Sequence, residues 1–352
     1  MRSPDPHRRI LVSGATGTIG RALWPSLLGL DAPLRVLEHQ TSLDSAVGPG
    51  TPRGPAAPAP RTPVEIVRGD LARPESLRGV AEGCDVVVHA AARVGFASVA
   101  RSAQRRINVA GTEALLGEAQ SAGARVFLLI GYTGTVQERE DQLSPVNEDT
   151  PPEARYESEY VRMKFEAEAL VLEANRSGGM ATMVVSPGVL AQPGANTILG
   201  GFVKAFLSRE LPFQFLNQVW LAPTDGEDVG RCVASAIRNG KGGRRYFATG
   251  DSVRLGRVFE LLTELSGVPA PRRRIPDLLV EELGLLTPVL PRRSFLRQLV
   301  LPRELVLHLE RLAPVDNART RAELDFNPTP LRSTLAALVV EEEGRARRSA
   351  ST

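Results

Sequence analysis

A short apolar run, Ile10-Leu11-Val12, passes at once into Gly14-Ala15-Thr16-Gly17-Thr18-Ile19-Gly20, and residues 19–30 then continue with helical spacing. Three glycines three residues apart, between a strand and a helix, have a mechanical reason. The turn needs a positive φ, and a Cβ would keep a phosphate from closing on the backbone. The helix behind the turn presents unpaired N–H groups and the positive end of its dipole to an anion. The unit predicts a strand–turn–helix that cradles the pyrophosphate of a dinucleotide, with a tight structural turn as the simpler alternative.

The strand–helix theme repeats along the chain. Compact β-rich runs stand at 34–37, 64–67, 86–88, 125–130 and 184–185, with a long helical stretch at 105–122. Strands apolar throughout and separated by helices predict an α/β fold, a doubly wound parallel sheet covered on both faces. Pro25 is expected to kink or shorten the first helix. Residues 44–63 carry Gly48-Pro49-Gly50, Pro52, Gly54-Pro55, Pro58, Pro60 and Pro63, and predict a flexible loop. The second half offers a helix at 199–207, strands at 213–216 and 246–248, and a helix at 258–266. Leucines at helical spacing over 278–312, broken by prolines, predict a smaller, mainly helical subdomain that walls a pocket. The expected division is 1–190 for dinucleotide binding, 191–340 for substrate, partly interleaved with the sheet, and a frayed tail at 341–352.

Composition serves mainly to exclude. With 43 basic against 40 acidic residues in 352, the net charge is only +3, so no nucleic-acid surface is expected. Cys84 and Cys232 are the only cysteines and lie in no ligand spacing, which argues for buried thiols and against a disulfide framework or metal site. Residues 1–9 lack the apolar core of a signal peptide, and no run is long enough to span a bilayer. A cytoplasmic protein with no stable membrane insertion is expected.

Further residues carry chemistry. At the end of the second strand, Glu38 is placed to accept ribose hydroxyls, which favours NAD. His39 or Arg35 would instead meet the 2′-phosphate of NADP. Asp70, in Gly69-Asp70-Leu71, either receives the adenine amino group or caps a helix near Pro74. Tyr160 and Lys164 are spaced i, i+4 and share one face of a helix over 158–173. A lysine beside a tyrosine stabilises phenolate and lowers the tyrosine pKa. That suits Tyr160 to exchange a proton with a carbinol oxygen while hydride moves to or from nicotinamide.

Taken in order, Gly14–Gly20, Gly69-Asp70-Leu71, His89-Ala90-Ala91-Ala92, Asn108-Val109-Ala110-Gly111-Thr112, Tyr160/Lys164 with Phe165-Glu166-Ala167-Glu168, Ser186-Pro187-Gly188, Asp228-Val229 and residues 246–250 span nearly the whole chain. In this arrangement the chain resembles the extended short-chain dehydrogenase/reductases of the NAD-dependent epimerase/dehydratase superfamily. It is most similar to their dihydroflavonol-reductase-like and 3β-hydroxysteroid-dehydrogenase-like branches. The resemblance implies a Rossmann fold and NAD or NADP as cofactor. Gly14, Gly17, Thr18, Ile19 and Gly20 would hold pyrophosphate, Asp70 and Leu71 would flank adenine, and Ala90, Ala91 and Ala92 would pass behind the nicotinamide ribose. Tyr160 would be the acid/base, Lys164 would orient the ribose and tune the tyrosine, and Pro187, Gly188 and Val189 would bracket the nicotinamide ring. His89 and Asn108 would fix loops. The family also implies a homodimer paired through residues 105–122 and 158–175.

One departure stands out. The family binds the substrate carbonyl with a Ser or Thr where this chain reads Gly131-Tyr132-Thr133-Gly134. Ungapped counting puts Tyr132 at that position, and Thr133, one residue on, is favoured if the strand end bulges. The expected activity is interconversion of a ketone and a secondary alcohol on a fairly apolar small molecule. A sugar-nucleotide epimerase or dehydratase, and a non-catalytic dinucleotide sensor or scaffold, are the alternatives.

Overall fold

In the computed structural model, residues 9–39, 64–96, 101–153, 155–175, 179–194, 197–285 and 301–350 are described. The loop expected at 44–63 lies outside them.

The amino-terminal half alternates as the apolar runs predict. Strand β1 (Ile10–Ser13) leads into α1 (Thr18–Leu28), followed by β2 (Leu34–Glu38), β3 (Val64–Arg68), a 3-10 turn (Pro74–Leu77) and β4 (Val86–His89). Then come α2 (Arg101–Arg105), a π-helical turn (Arg106–Ala110), α3 (Gly111–Ser121), β5 (Val126–Ile130), α4 (Gly134–Gln137), α5 (Glu159–Ala174) and β6 (Ala181–Pro187). The remainder contributes β7 (Val189–Ala191), α6 (Ile198–Leu207), β8 (Trp220–Leu221), β9 (Pro223–Asp225), α7 (Gly226–Asn239), β10 (Arg244–Ala248), β11 (Val253–Arg254) and α8 (Leu255–Ser266). Among the described residues, the last helices are α9 (Asp277–Gly284), α10 (Arg303–Glu310), α11 (Ala318–Leu324) and α12 (Leu331–Ala350).

Seven strands form one parallel sheet in the order β3-β2-β1-β4-β5-β6-β10. Alternate residues of each strand feed opposite layers. Ile10, Val12, Val88 and Leu128 pack with Leu23 and Leu27 of α1 and Val229 and Val233 of α7 on one face. Leu11, Val87, Phe127 and Leu129 pack with Leu115 of α3 and Ala167 and Val171 of α5 on the other. Strand order reverses between β1 and β4, where Ser13 lies beside His89. The crevice outside the carboxyl ends of those strands is where an open α/β sheet takes a ligand.

The chain beyond residue 190 returns to the sheet through α7 and β10, so the two expected regions are interleaved. Its own apolar centre joins Leu199, Val203 and Phe206 of α6, Val258 and Phe259 of α8, Val306 of α10 and Leu335 of α12.

Four expectations need correction. Helix α1 runs through Pro25 and ends at Leu28. The helical stretch at 105–122 is interrupted by the π turn over Arg106–Ala110. Residues 213–216 make only an isolated bridge from Gln214 to Arg274, because Leu216 turns to φ 51° and leaves the extended region. The tail expected to fray is helical as far as Ala350, its first part held by ion pairs from Arg345 to Glu341 and Glu342.

His89 locks the reversal point. Its Nδ1 meets Ser13 Oγ at 2.6 Å and its Nε2 meets Thr112 Oγ1 at 2.9 Å, which ties β4 to β1 and to α3. Burial, helped by the charge of Lys164, pushes its pKa from 6.5 down to about 3. A histidine that resists protonation only when folded leaves the unfolded chain binding more protons below pH 6.5. Stability should therefore fall as pH drops from 6.5 towards 3, and His89→Gln should flatten that part of the profile. Urea midpoints measured across this range decide it; an unchanged acid slope in the variant would refute the assignment.

Candidate active site

The glycine turn sits at the reversal point, and two of its glycines are there for packing. Gly14 has φ 72°, and a Cβ on it would lie 2.4 Å from the backbone nitrogen of Ala91. A Cβ on Gly20 would lie 2.0 Å from the Gly14 carbonyl oxygen. Gly17 differs: its ordinary φ of −74° suits any residue, and a Cβ would meet only the Gly14 oxygen, at 3.2 Å. Nothing else lies within 4 Å of that Cβ, and no side chain caps the first turn of α1 at Thr18, Ile19 and Gly20. A bare helix amino terminus with an uncovered glycine suits a pyrophosphate.

The other expected cofactor residues lie along the same edge of the sheet. Glu38 ends β2 with its side chain buried, and exposed His39 follows. Arg35 is committed elsewhere: it donates to the carbonyls of Val80 and Glu82 and pairs with Glu65, so it is withdrawn from any 2′-phosphate. Asp70 does not cap the turn at Pro74. One oxygen accepts the Ala72 N–H at 2.8 Å, and the other meets Arg73 Nε at 3.0 Å and His39 Nε2 at 3.3 Å. Burial alone would raise this carboxyl, but those partners outweigh it and hold it below its ordinary range.

Ala90 and Ala91 lie against Gly14, and Ala92 beyond them is exposed. Asn108 receives the Arg93 N–H at 2.7 Å and donates to the Arg93 carbonyl at 3.0 Å, which fixes the segment after Ala92. Gly111 lets α3 close on Leu71, where a Cβ would come within 2.7 Å. At the other side of the crevice, Pro187 ends β6 and accepts the Thr133 N–H. The Gly188 N–H is held by Thr224 Oγ1 at 2.9 Å, and half-buried Val189 opens β7.

Helix α5 places Tyr160, Lys164 and Glu168 on successive turns of one face, all three buried. Ser158 caps it, and Glu304 of α10 accepts both the Ser158 hydroxyl at 2.9 Å and the Glu159 N–H at 3.0 Å. Lys164 Nζ donates to the Ile130 carbonyl at 2.6 Å. Burial lowers this ammonium to about 8, against the opposing charge of Glu168. Glu168 accepts the Tyr132 N–H and the Thr135 hydroxyl and pairs with buried Arg245. Tyr160 departs from the expectation of a lowered pKa. Burial first, and the charge of Glu168 second, push its phenol upward, so it is held protonated.

The two candidate hydroxyls part company. Thr133, favoured from the sequence, is wholly buried; its Oγ1 has no hydrogen-bond partner, like the buried Ser186 Oγ at the end of β6. Tyr132 is half-buried, and its ring lies 6.4 Å from that of Tyr160. The ring folds over Gly134, where a Cβ would come within 2.1 Å of it. Its hydroxyl meets His308 Nε2 at 3.0 Å, and His308 Nδ1 meets Glu138 Oε2 at 2.5 Å with both side chains fully buried. Phe96 closes the group, 5.5 Å from the Tyr160 ring and 5.9 Å from His308. Phe96, Glu138 and His308 stand in none of the motifs that the sequence offers. The one available signal was the scarcity of histidine, four in the chain, one of them inside a leucine-rich helix.

Residues 10–247 match the model of the NAD dependent epimerase/dehydratase family. The chain belongs to that family, the extended short-chain dehydrogenase/reductases. It is 30% identical over 346 residues to sterol demethylase protein B of Methylococcus capsulatus, covering 94% of this chain and 96% of that one. It is 28% identical over 272 residues, 76% of each chain, to the 4-hydroxy-2-methyl-3-oxo-4-farnesyl-3,4-dihydroquinoline-1-oxide ketoreductase of Stigmatella aurantiaca. Among solved structures it resembles the dTDP-glucose 4,6-dehydratase DesIV of Streptomyces venezuelae with NAD and TYD bound, with TM-score 0.73, 19% identity, and coverage of 97% and 98% of the two chains. That last likeness is one of fold. Membership makes the chain an NAD(P)-dependent enzyme, and the glycine turn and bare helix terminus fit that cofactor.

The two kinds of glycine separate experimentally. Gly20→Ala drives a methyl into the turn's own backbone and should cost several kcal/mol of stability, as overpacking does. Gly17→Ala should leave the thermal midpoint near wild type and weaken NADH and NADPH binding by about tenfold or more, read by quenching of protein fluorescence. Unchanged affinity in Gly17→Ala would remove this turn from the cofactor site.

Proposed function

We propose that this enzyme interconverts a ketone and a secondary alcohol on an apolar, ring-containing small molecule, with Tyr160 as the acid/base. The observation that carries the reading is Tyr160 itself, a buried phenol one helical turn from Lys164 on the same face of α5. A phenol and an ammonium in this register suit proton exchange with a substrate oxygen. Gly14, Gly17, Thr18, Ile19 and Gly20 would hold the pyrophosphate, with Glu38, His39, Asp70 and Leu71 at the adenosine end. Ala90, Ala91 and Ala92, with Pro187, Gly188 and Val189, would enclose the nicotinamide end. When bound there, a reduced nicotinamide would supply the hydride for a substrate carbonyl.

Tyr160 then gives its phenolic proton to the carbonyl oxygen. Lys164, one helical turn on and anchored by the Ile130 carbonyl, would offset negative charge that builds on the phenol. Apolar substrates are supported from two sides. The rings of Phe96 and Tyr132 pack beside that of Tyr160, and two relatives are named for a sterol and for a farnesylated ketone. A homodimer paired through α3 and α5, in the cytoplasm, completes the proposal. No helix among the described residues is long and apolar enough to cross a membrane.

The test is consumption of NADH or NADPH with androstenedione and trans-decalone as probes. Tyr160→Phe should bind cofactor normally and lower kcat on the order of 10²–10⁴-fold, the usual contribution of a general acid. Wild-type turnover in that variant would sink the role of Tyr160. Tightly retained NAD with no net cofactor consumption would point to epimerase chemistry instead.

A further inference from the structure

We infer that helix α9 docks on an anionic lipid surface and that the site draws its apolar substrate from there. The docking stands on the surface of α9 alone; the second half rests on the ketone–alcohol reading above.

Helix α9 has two unlike sides. Val280 is buried in the apolar centre of the carboxy-terminal region, and Glu281 pairs with Arg303 of α10. The opposite side is bare. Leu278 is 67% exposed, Leu279 50% and Leu283 38%, and Leu285, just past the helix end, is 52% exposed. Spacing of i and i+4 sets Leu278 beside Glu282 and Leu279 beside Leu283. The bare side is thus an apolar strip that carries a single charge, at exposed Glu282. Single surface leucines are ordinary, but a run of them on one short helix marks a surface that meets something apolar.

Charge indicates what that is. Arg272, Arg273 and Arg274 precede the helix, all exposed and with no carboxylate partner among the described residues. Their backbone is tied down. The Arg273 carbonyl accepts the Gln214 N–H at 2.8 Å, and Asp277 Oδ1 accepts the Leu216 N–H at 3.1 Å. Even fully extended, four residues reach only about 14 Å, so Arg274 and Leu278 are close enough to touch one surface. An anionic bilayer answers both features: leucines sink to the boundary of headgroups and acyl chains, and arginines stay with the phosphates. A second copy on a two-fold axis would present this same basic patch and be repelled by it. An eight-residue helix is too short to cross a bilayer, so the contact is docking without insertion.

The docking face is continuous with the wall of the site. The Arg303–Glu281 pair joins α9 to α10, and Glu304 of α10 caps α5. His308 of α10 stacks on Phe96, which packs on Tyr160. A bilayer against α9 therefore lies against the helix pair that closes on Tyr160, and a lipid-soluble ketone has a short route to it.

Co-sedimentation with phosphatidylcholine vesicles, with and without phosphatidylglycerol, tests the docking without any substrate. The enzyme should sediment with the phosphatidylglycerol vesicles at low salt and far less with phosphatidylcholine alone. Leu278→Gln with Leu279→Gln keeps good helix formers and should lower partitioning on the order of tenfold, at an unchanged thermal midpoint. Arg272→Gln with Arg273→Gln should lower it about fivefold per arginine and remove the preference for phosphatidylglycerol. No sedimentation, or sedimentation indifferent to both variants, overturns the docking. So does self-association that the leucine variant abolishes, because the face then belongs to a second copy. A thermal midpoint lowered by the leucine variant overturns it too, because the chain itself then covers the face. For the second half, androstenedione is supplied either dissolved or in phosphatidylglycerol vesicles. The leucine variant should raise KM several-fold for the vesicle-borne ketone only, with kcat unchanged. Equal KM values for that source in variant and wild type would overturn the draw from lipid. Absence of turnover from either source removes the reductase reading and leaves the docking result standing.

Discussion

Everything in the site is set out from one close approach, the backbone of Gly14 against that of Ala90 and Ala91. It can happen only without a Cβ at residue 14, and it seals the first strand to the fourth where the strand order reverses. His89 repeats the join with a side chain, holding Ser13 on one ring nitrogen and Thr112 on the other. From that seam the sheet extends both ways. The glycine turn, the alanine segment and the end of β6 then fall along one edge, where helix termini and strand ends leave polar groups for a ligand.

Helix α5 is held from two sides. On the sheet side, Lys164 takes the Ile130 carbonyl and Glu168 takes the Tyr132 N–H, so β5 and α5 keep one register. Glu168 in turn is balanced by Arg245 of β10, a buried ion pair that brings the last sheet strand into the site's support. A pair of this kind contributes little over a well-packed apolar pair, but breaking it leaves an uncompensated charge. On the far side, Glu304 of α10 caps the helix start. Burial from both sides raises the Tyr160 phenol, the opposite of what a lysine neighbour alone would do.

How much was legible depends on how far apart the cooperating residues lie. The glycine turn, the apolar strands and the Tyr160/Lys164 spacing are local patterns, and each stands where local chemistry puts it. The doubly wound sheet was legible for the same reason, since wholly apolar strands between helices have few other solutions. Residues 213–216 were misjudged because apolar composition says nothing of the positive φ at Leu216. His308 was illegible because its partners, Tyr132 and Glu138, are 176 and 170 residues away in the chain. Thr133 is expected from the sequence for its hydroxyl; the fold adds that this hydroxyl is buried without a hydrogen-bond partner, while the neighbouring Tyr132 ring lies 6.4 Å from that of Tyr160.

The central claim is a net, directional transfer: hydride from reduced nicotinamide to a carbonyl carbon, with the proton drawn from Tyr160. It is tested most directly by following deuterium from nicotinamide labelled at its hydride-donating carbon, with androstenedione as acceptor. One deuterium on the carbinol carbon of the product and one equivalent of oxidised cofactor are expected. Label retained on the cofactor, with no carbinol formed, would contradict it.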